Sequence, residues 1–135
     1  MQLTPKPMAD CEVWDLVKVP FPYTNRLVQQ RRPALVVAVP DVPGAPRLLW
    51  VLMVTSAANR GWPGDVVISK LAEAGLPVAS VVRSAKIATI EASDAERIGS
   101  LPMEDRLQVM AALRSSLAHV LETSAQGRDG TLAAK

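Results

Sequence analysis

Between Lys18 and Arg32 the chain places four cations, Lys18, Arg26, Arg31 and Arg32, with no acid among them and with Phe21 and Tyr23 interleaved. Rings of this kind stack on bases while guanidinium groups bind phosphates in bidentate fashion. The same segment also reads as a solvated loop whose Phe21 plugs one end of a core. A second group, Thr55 and Ser56, ends the most apolar stretch and runs directly into a loop with Asn59, Arg60 and Trp62. A hydroxyl at the mouth of a buried strand is held in place by the core, so it can touch a ligand or simply satisfy a backbone group. Arg83 and Lys86, in VVRSAK, make a third and weaker group.

What the chain lacks narrows the chemistry. Its 135 residues include one histidine, His119, and one cysteine, Cys11. That inventory excludes a four-ligand Cys/His zinc site, a disulfide framework and two-histidine acid–base catalysis. His119 falls two residues from both Leu117 and Leu121, off the apolar stripe of its helix, and reads as a surface residue. Cys11 reads as an inert thiol. There is no Gly-rich phosphate loop and no HExxH, and the acids form no metal-type cluster, so neither metal nor other cofactor is expected.

Hydrophobic types make up 49% of the chain and charged types 21%, with a mean hydropathy of +0.16, as for one soluble domain. Apolar runs are broken by proline or charge within roughly ten residues, too soon to span a bilayer. The first residues, MQLTPKPMADCEVWD, lack the apolar core of a signal peptide, so a cytoplasmic location is expected. The net charge of +2 hides an asymmetry: residues 1–60 carry seven Lys/Arg against four Asp/Glu, whereas residues 61–135 carry eight against nine. A basic strip of this kind attracts a phosphate backbone or an acidic peptide.

These groups need elements to hold them. Residues 13–19 alternate as a half-buried strand, which Pro20 and Pro22 turn into a loop reaching about Arg32. Residues 33–39, PALVVAV, form a second strand. Residues 47–56, RLLWVLMVTS, are apolar almost throughout and predict a strand buried on both faces, with Trp50 in the core. VVIS makes a short fourth strand, KLAEAG a helical turn capped by Gly75, and SVVRSAKIATIE one or two further strands. Ser93 and Glu96 form a capping box that predicts a brief helix ending at Gly99. In the last element, Met103, Leu107, Met110, Leu113, Leu117 and Leu121 recur at helical spacing and predict a helix packed on the sheet through that stripe. The expected fold is mainly β (α+β): five to seven mostly antiparallel strands with a C-terminal amphipathic helix. The expected layout is an N-terminal lead-in at 1–12, the domain at 13–122 and a flexible tail at 123–135.

The ordered set VWDLVKVPFPYTN, QRRPALVV, LLWVLMVTS, GDVVIS, AGLPVASVVR, KIATIE and RIGSLPMEDRLQVMAALRSSL resembles the PemK/MazF family of toxins from type II toxin–antitoxin systems, over residues 13 to 121. The most specific pieces are the PFPYT loop, the RRPALVV opening of the second strand and the SVVR segment. The resemblance implies an SH3-like small barrel, a homodimer, and metal-independent cleavage of single-stranded RNA. It puts the catalytic pair at Arg32 and Thr55. It further implies RNA contacts from Lys18, Phe21, Tyr23, Thr24, Arg26, Arg31, Ser56, Arg60, Arg83 and Lys86, and a cognate antitoxin whose acidic, flexible tail occupies the same groove.

Cleavage through the RNA's own 2′-hydroxyl needs a base for that hydroxyl, an acid for the departing 5′-oxygen and donors for charge on the phosphorane. Arg32 can offer a fixed guanidinium fork and Thr55 can orient a phosphate oxygen or the attacking group. The expected products are a 2′,3′-cyclic phosphate and a 5′-hydroxyl. The identity of the base stays open, since a guanidinium is not deprotonated in proteins. The chain departs from the family pattern in having Trp14 where many relatives have glycine, Ala85 where some carry a catalytic acid, and Ala88 in place of the usual arginine, with Lys86 as a candidate replacement donor. These departures define the alternative, a catalytically weak or silent member of the same fold that binds nucleic acid or protein.

Overall fold

A computed structural model of the chain describes residues 11–20, 30–59 and 61–134, the last twelve by their backbone only. Six strands, β1 (Asp15–Pro20), β2 (Arg31–Ala38), β3 (Leu48–Ser56), β4 (Asp65–Val67), β5 (Ser80–Glu91) and β6 (Glu96–Ser100), alternate with a short helix α1 (Leu71–Ala74) and end in α2 (Met103–Ala134). They form one antiparallel sheet in the order β4-β5-β3-β2-β1-β6. The α+β class is therefore as expected, but β4 and β6 remain edges and the ladder does not close into a barrel. Irregularities at Leu16/Val17, Val36/Ala38 and Leu52/Met53 bend the strands instead.

Both faces of the sheet carry a core. Val17, Val19, Ala34, Val36, Val51 and Met53 pack on one face with Cys11, Ala92 and Ala95. Leu16, Leu35, Leu52, Val54 and Val82 pack on the other beneath Ala74, Leu101 and Val109. The near-continuous apolar run of β3 follows from its central place, since successive side chains enter opposite cores. Trp50 is the exception: it is 45% exposed rather than in the core, lying opposite Thr89 and beside the bulge at Ala38.

The capping box does not make a helix. A single 3-10 turn at Ala92–Asp94 is followed by β6, which pairs with Asp15–Lys18 of β1. One isolated helical turn is a poor competitor for a ladder of this kind. Gly99 contributes to that outcome, because a Cβ there would stand 2.4 Å from the Ala74 carbonyl carbon. Gly75, left-handed at φ 75°, faces it with equally little room, a Cβ falling 2.0 Å from the Ile98 carbonyl oxygen. The end of α1 thus rests backbone to backbone on β6.

Helix α2 is a correction of a different kind. It runs from Met103 to Ala134 and does not pack through the expected stripe: with Leu101 and Pro102 just before it, Asp105 and Val109 are buried, and Leu113 is partly covered. Met103, Leu107, Met110, Leu117 and Leu121 are exposed. Its rotation is set at the N-terminus, where buried Asp105 accepts hydrogen bonds from Ser69 N–H (2.9 Å) and Ser69 Oγ (3.0 Å) and Arg106 lies 5.5 Å from the Trp14 ring centroid. Turning the Met/Leu stripe inward would carry Asp105 out of its covered place and break both hydrogen bonds from Ser69. Among the described residues no helix is long and apolar enough to cross a membrane.

Candidate functional site

The last β2–β3 pair is Ala34 with Met53, and two residues further the same register sets Arg32 opposite Thr55. Alternation puts both on the face of Ala34 and Met53, while Lys18, which pairs with Pro33, and Ser56, which pairs with Ser80, point to the other face. All four meet around one cavity of about 330 Å³ at the strand ends. Its far wall is apolar, made by Leu76, Pro77, Val78 and Ile98, and is carried there by the Gly75–Gly99 contact. A polar, cationic rim facing an apolar wall suits a ligand with a phosphate at one end and a flat apolar body at the other.

Within the rim, Arg32 is exposed and donates from Nη2 to Gln30 Oε1 at 2.9 Å. Asn59 Nδ2 donates to Thr55 Oγ1, so the threonine acts as acceptor there and its own proton is directed elsewhere. Ser56 holds the turn that brings Asn59 back: its Oγ accepts from Ala58 N–H at 3.1 Å and its carbonyl accepts from Asn59 N–H at 3.0 Å. Such a rim can place a charged fork and an oriented hydroxyl on one phosphate.

Other expected site residues lie apart from this cavity. Arg31 donates to the Lys18 carbonyl at 3.1 Å and stands 3.8 Å from Glu96 on the β6 side. Arg83 is 7% exposed; its Nε and Nη2 donate to the two carboxylate oxygens of Asp65 at 3.1 and 2.9 Å, and its guanidinium lies 4.2 Å from the Trp62 centroid. The hydrogen bonds from Arg83 hold the Asp65 carboxyl below the usual carboxylate range, and Asp65 in turn raises the guanidinium. Lys86 reaches within 5.8 Å of the same ring. Ala85 is exposed, Ala88 packs against the first core and His119 is exposed on α2. Phe21, Tyr23, Thr24, Arg26 and Arg60 lie outside the described residues.

Two residues gain importance that their types alone did not announce. Asn59 is four residues after Thr55, a spacing a tight turn can close, and that was the only available signal. Trp62 carried none beyond its place in the loop.

A family model described as a PemK-like, MazF-like toxin of type II toxin–antitoxin systems matches residues 12–117. Among solved structures, MazF from Deinococcus radiodurans aligns with a TM-score of 0.58 at 24% identity, covering 80% of this chain and 96% of that one. A MazE–MazF structure from the same organism aligns at 0.55 and 26% identity, over 79% and 94% of the two chains. The Mycobacterium tuberculosis toxin MazF-mt6 aligns at 0.59 and 21% identity, over 77% and 96%. Comparison with curated proteins finds no match.

Proposed function

The chain belongs to the PemK/MazF-like toxin family of type II toxin–antitoxin systems, and from that premise we propose that it is a metal-independent endoribonuclease acting on single-stranded RNA. The observation that carries this reading is the meeting of Arg32 and Thr55 at one cavity with Lys18 beside them. The 2′-hydroxyl of the RNA gives up its proton and attacks the adjacent phosphorus while the 5′-oxygen leaves and takes up a proton, giving a 2′,3′-cyclic phosphate and a 5′-hydroxyl with no net change in protons. The Arg32 fork takes up the charge that grows on the equatorial phosphorane oxygens, an interaction stronger in the transition state than in the ground state. Thr55, its oxygen engaged by Asn59, donates its proton to a phosphate oxygen. Lys18 adds attraction for the backbone, and the apolar wall at Leu76 and Val78 receives a base.

A partner antitoxin with an acidic, flexible tail fits the same cationic rim, and solved relatives include MazE–MazF structures. A homodimer is supported by the uncovered Met103, Leu107, Met110, Leu117 and Leu121 on α2, an apolar stripe of the kind that marks interfaces. The test is cleavage of single-stranded RNA in EDTA with sequencing of the 5′-hydroxyl ends. Arg32→Ala is expected to be roughly 10²- to 10³-fold slower than wild type. Equal rates would remove Arg32 from the mechanism, and binding of RNA without any cleavage by the wild type would favour the silent member of the fold.

A further inference from the structure

Trp62 has no part in the chemistry above, yet its backbone is pinned to Asp65 and its ring lies against two cations. It is 42% exposed. The main-chain N–H of Trp62 donates to Asp65 Oδ2 at 2.9 Å, and Asp65 N–H donates back to the Trp62 carbonyl at 3.0 Å. The Arg83 guanidinium lies 4.2 Å from the ring centroid, itself fixed by two hydrogen bonds to Asp65, and the Lys86 ammonium is 5.8 Å away. The indole is therefore ordered before any ligand arrives, so a partner that stacks on it meets little further entropic cost.

Its position relates it to the cavity. Arg83 is opposite Met53, and Val81 is opposite Thr55, so Arg83 and Thr55 share a sheet face and their positions differ by two residues, about 7 Å along the strand. The loop bearing Trp62 follows Ser56, at the end of β3, and is tied back to Thr55 through Asn59. That separation is within reach of a nucleotide adjoining one whose phosphate sits at Arg32 and Thr55.

We propose that Trp62 is a nucleobase-stacking platform for the single-stranded RNA, receiving a base next to the cleaved phosphate on the part of its ring left exposed, with Arg83 holding the ring and Lys86 adding positive charge nearby. The proposal rests on the ribonuclease reading and adds a contact to it. Stacking on an aromatic face is tolerant of base identity and contributes affinity without changing the number of phosphates neutralised.

The experiment titrates the full chain with a short single-stranded RNA carrying 2′-O-methyl groups, which lack the attacking hydroxyl, and follows both anisotropy and tryptophan emission. Wild type is expected to bind with quenched emission. Trp62→Leu is expected to bind roughly 5- to 100-fold more weakly, with most of the quenching gone and the dependence of affinity on salt unchanged. Trp62→Phe, which keeps a ring and serves if the leucine variant folds poorly, is expected to fall between the two in affinity. Wild-type affinity in Trp62→Leu, or quenching that survives it, overturns the platform while leaving the ribonuclease intact. A wild type that neither binds nor cleaves RNA overturns both.

Discussion

Arg32 and Arg83 occupy the same face of one sheet in opposite circumstances. Arg32, near the start of β2, is exposed and hydrogen-bonded to a neutral amide, Gln30. Arg83, in the interior of β5, is almost fully covered and has a carboxylate paired bidentately with its Nε–Nη2 edge. The first keeps its charge available to whatever enters the cavity. The second has its charge answered by Asp65, and what it offers outward is the ring it holds in place. A cationic residue in a candidate site must therefore be judged by whether its counter-charge is already built into the fold.

The largest effects should separate the two. Arg32→Ala is expected to lose roughly 10²- to 10³-fold in cleavage with its urea midpoint unchanged. Arg83→Ala is expected to act on stability first, lowering the urea midpoint, because it strands Asp65 in a largely covered position. A fully stable but inactive Arg83→Ala would abolish the distinction and return Arg83 to the phosphate-binding role its sequence implies.

Asn59 sharpens the exposed side of the comparison. Asn59→Ala leaves Thr55 Oγ1 without its donor and frees the hydroxyl to rotate. One hydrogen bond contributes about 1 kcal/mol, so kcat is expected to fall about tenfold or less. An unchanged midpoint with reduced kcat would mark Asn59 as a residue that orients Thr55. Unchanged kcat would mean that the threonine is oriented by the substrate itself.

That Arg32 and Thr55, the pair the family resemblance implies, lie side by side is legible in the sequence, and the setting of Arg83 is not, because the interactions differ in range. The two apolar runs that end at Pro33 and Val54 declare neighbouring antiparallel strands, so their flanking residues come together almost automatically. The partner of Arg83 is Asp65, eighteen residues earlier, and the β4–β5 register that joins them leaves no local trace. Other misreadings have the same origin. The stretch from Glu96 to Ser100 carries a helix-start signal, but its fate is decided by an edge of β1 far upstream, from Asp15 to Lys18. The spacing of the stripe on α2 specifies a helix, but which side faces inward depends on Asp105 finding Ser69.

Trp14 offers a control for the idea that a cation on an indole marks a functional surface. Arg106 lies 5.5 Å from its ring, but this pair joins α2 to the second core, and neither residue lines the cavity. Trp14 also has φ 80°, a conformation that suits glycine, the residue many relatives carry there, and that costs other residues roughly 1–2 kcal/mol. It is held by hydrogen bonds from its N–H to Val36 O (2.8 Å) and from Leu101 N–H to its own carbonyl (2.9 Å). Trp14→Ala and Trp14→Gly both lose the ring, so the glycine variant should be the more stable by about 1 kcal/mol in urea unfolding. Neither should alter RNA affinity. A loss of affinity in both would make ring–cation pairing as such, rather than the place of Trp62, the relevant feature.

The smallest expected effect lies in acid and tests whether Asp65 is the counter-charge it is taken to be. Arg83 lowers the carboxyl of Asp65 in the folded protein, so the folded state holds its proton less tightly than the unfolded chain does. The resulting stability is fully present above the unfolded carboxylate range and is lost as the pH falls through the lower, folded value. Urea midpoints measured from pH 6 down to pH 2 should therefore decline less steeply for Asp65→Asn than for wild type. Arg32→Ala should keep the wild-type slope, since its hydrogen-bond acceptor is an amide that does not titrate in this range. If Arg32→Ala flattened the acid limb as much as Asp65→Asn, Arg32 would share a carboxylate in solution, and the contrast between an available and an answered guanidinium would fail.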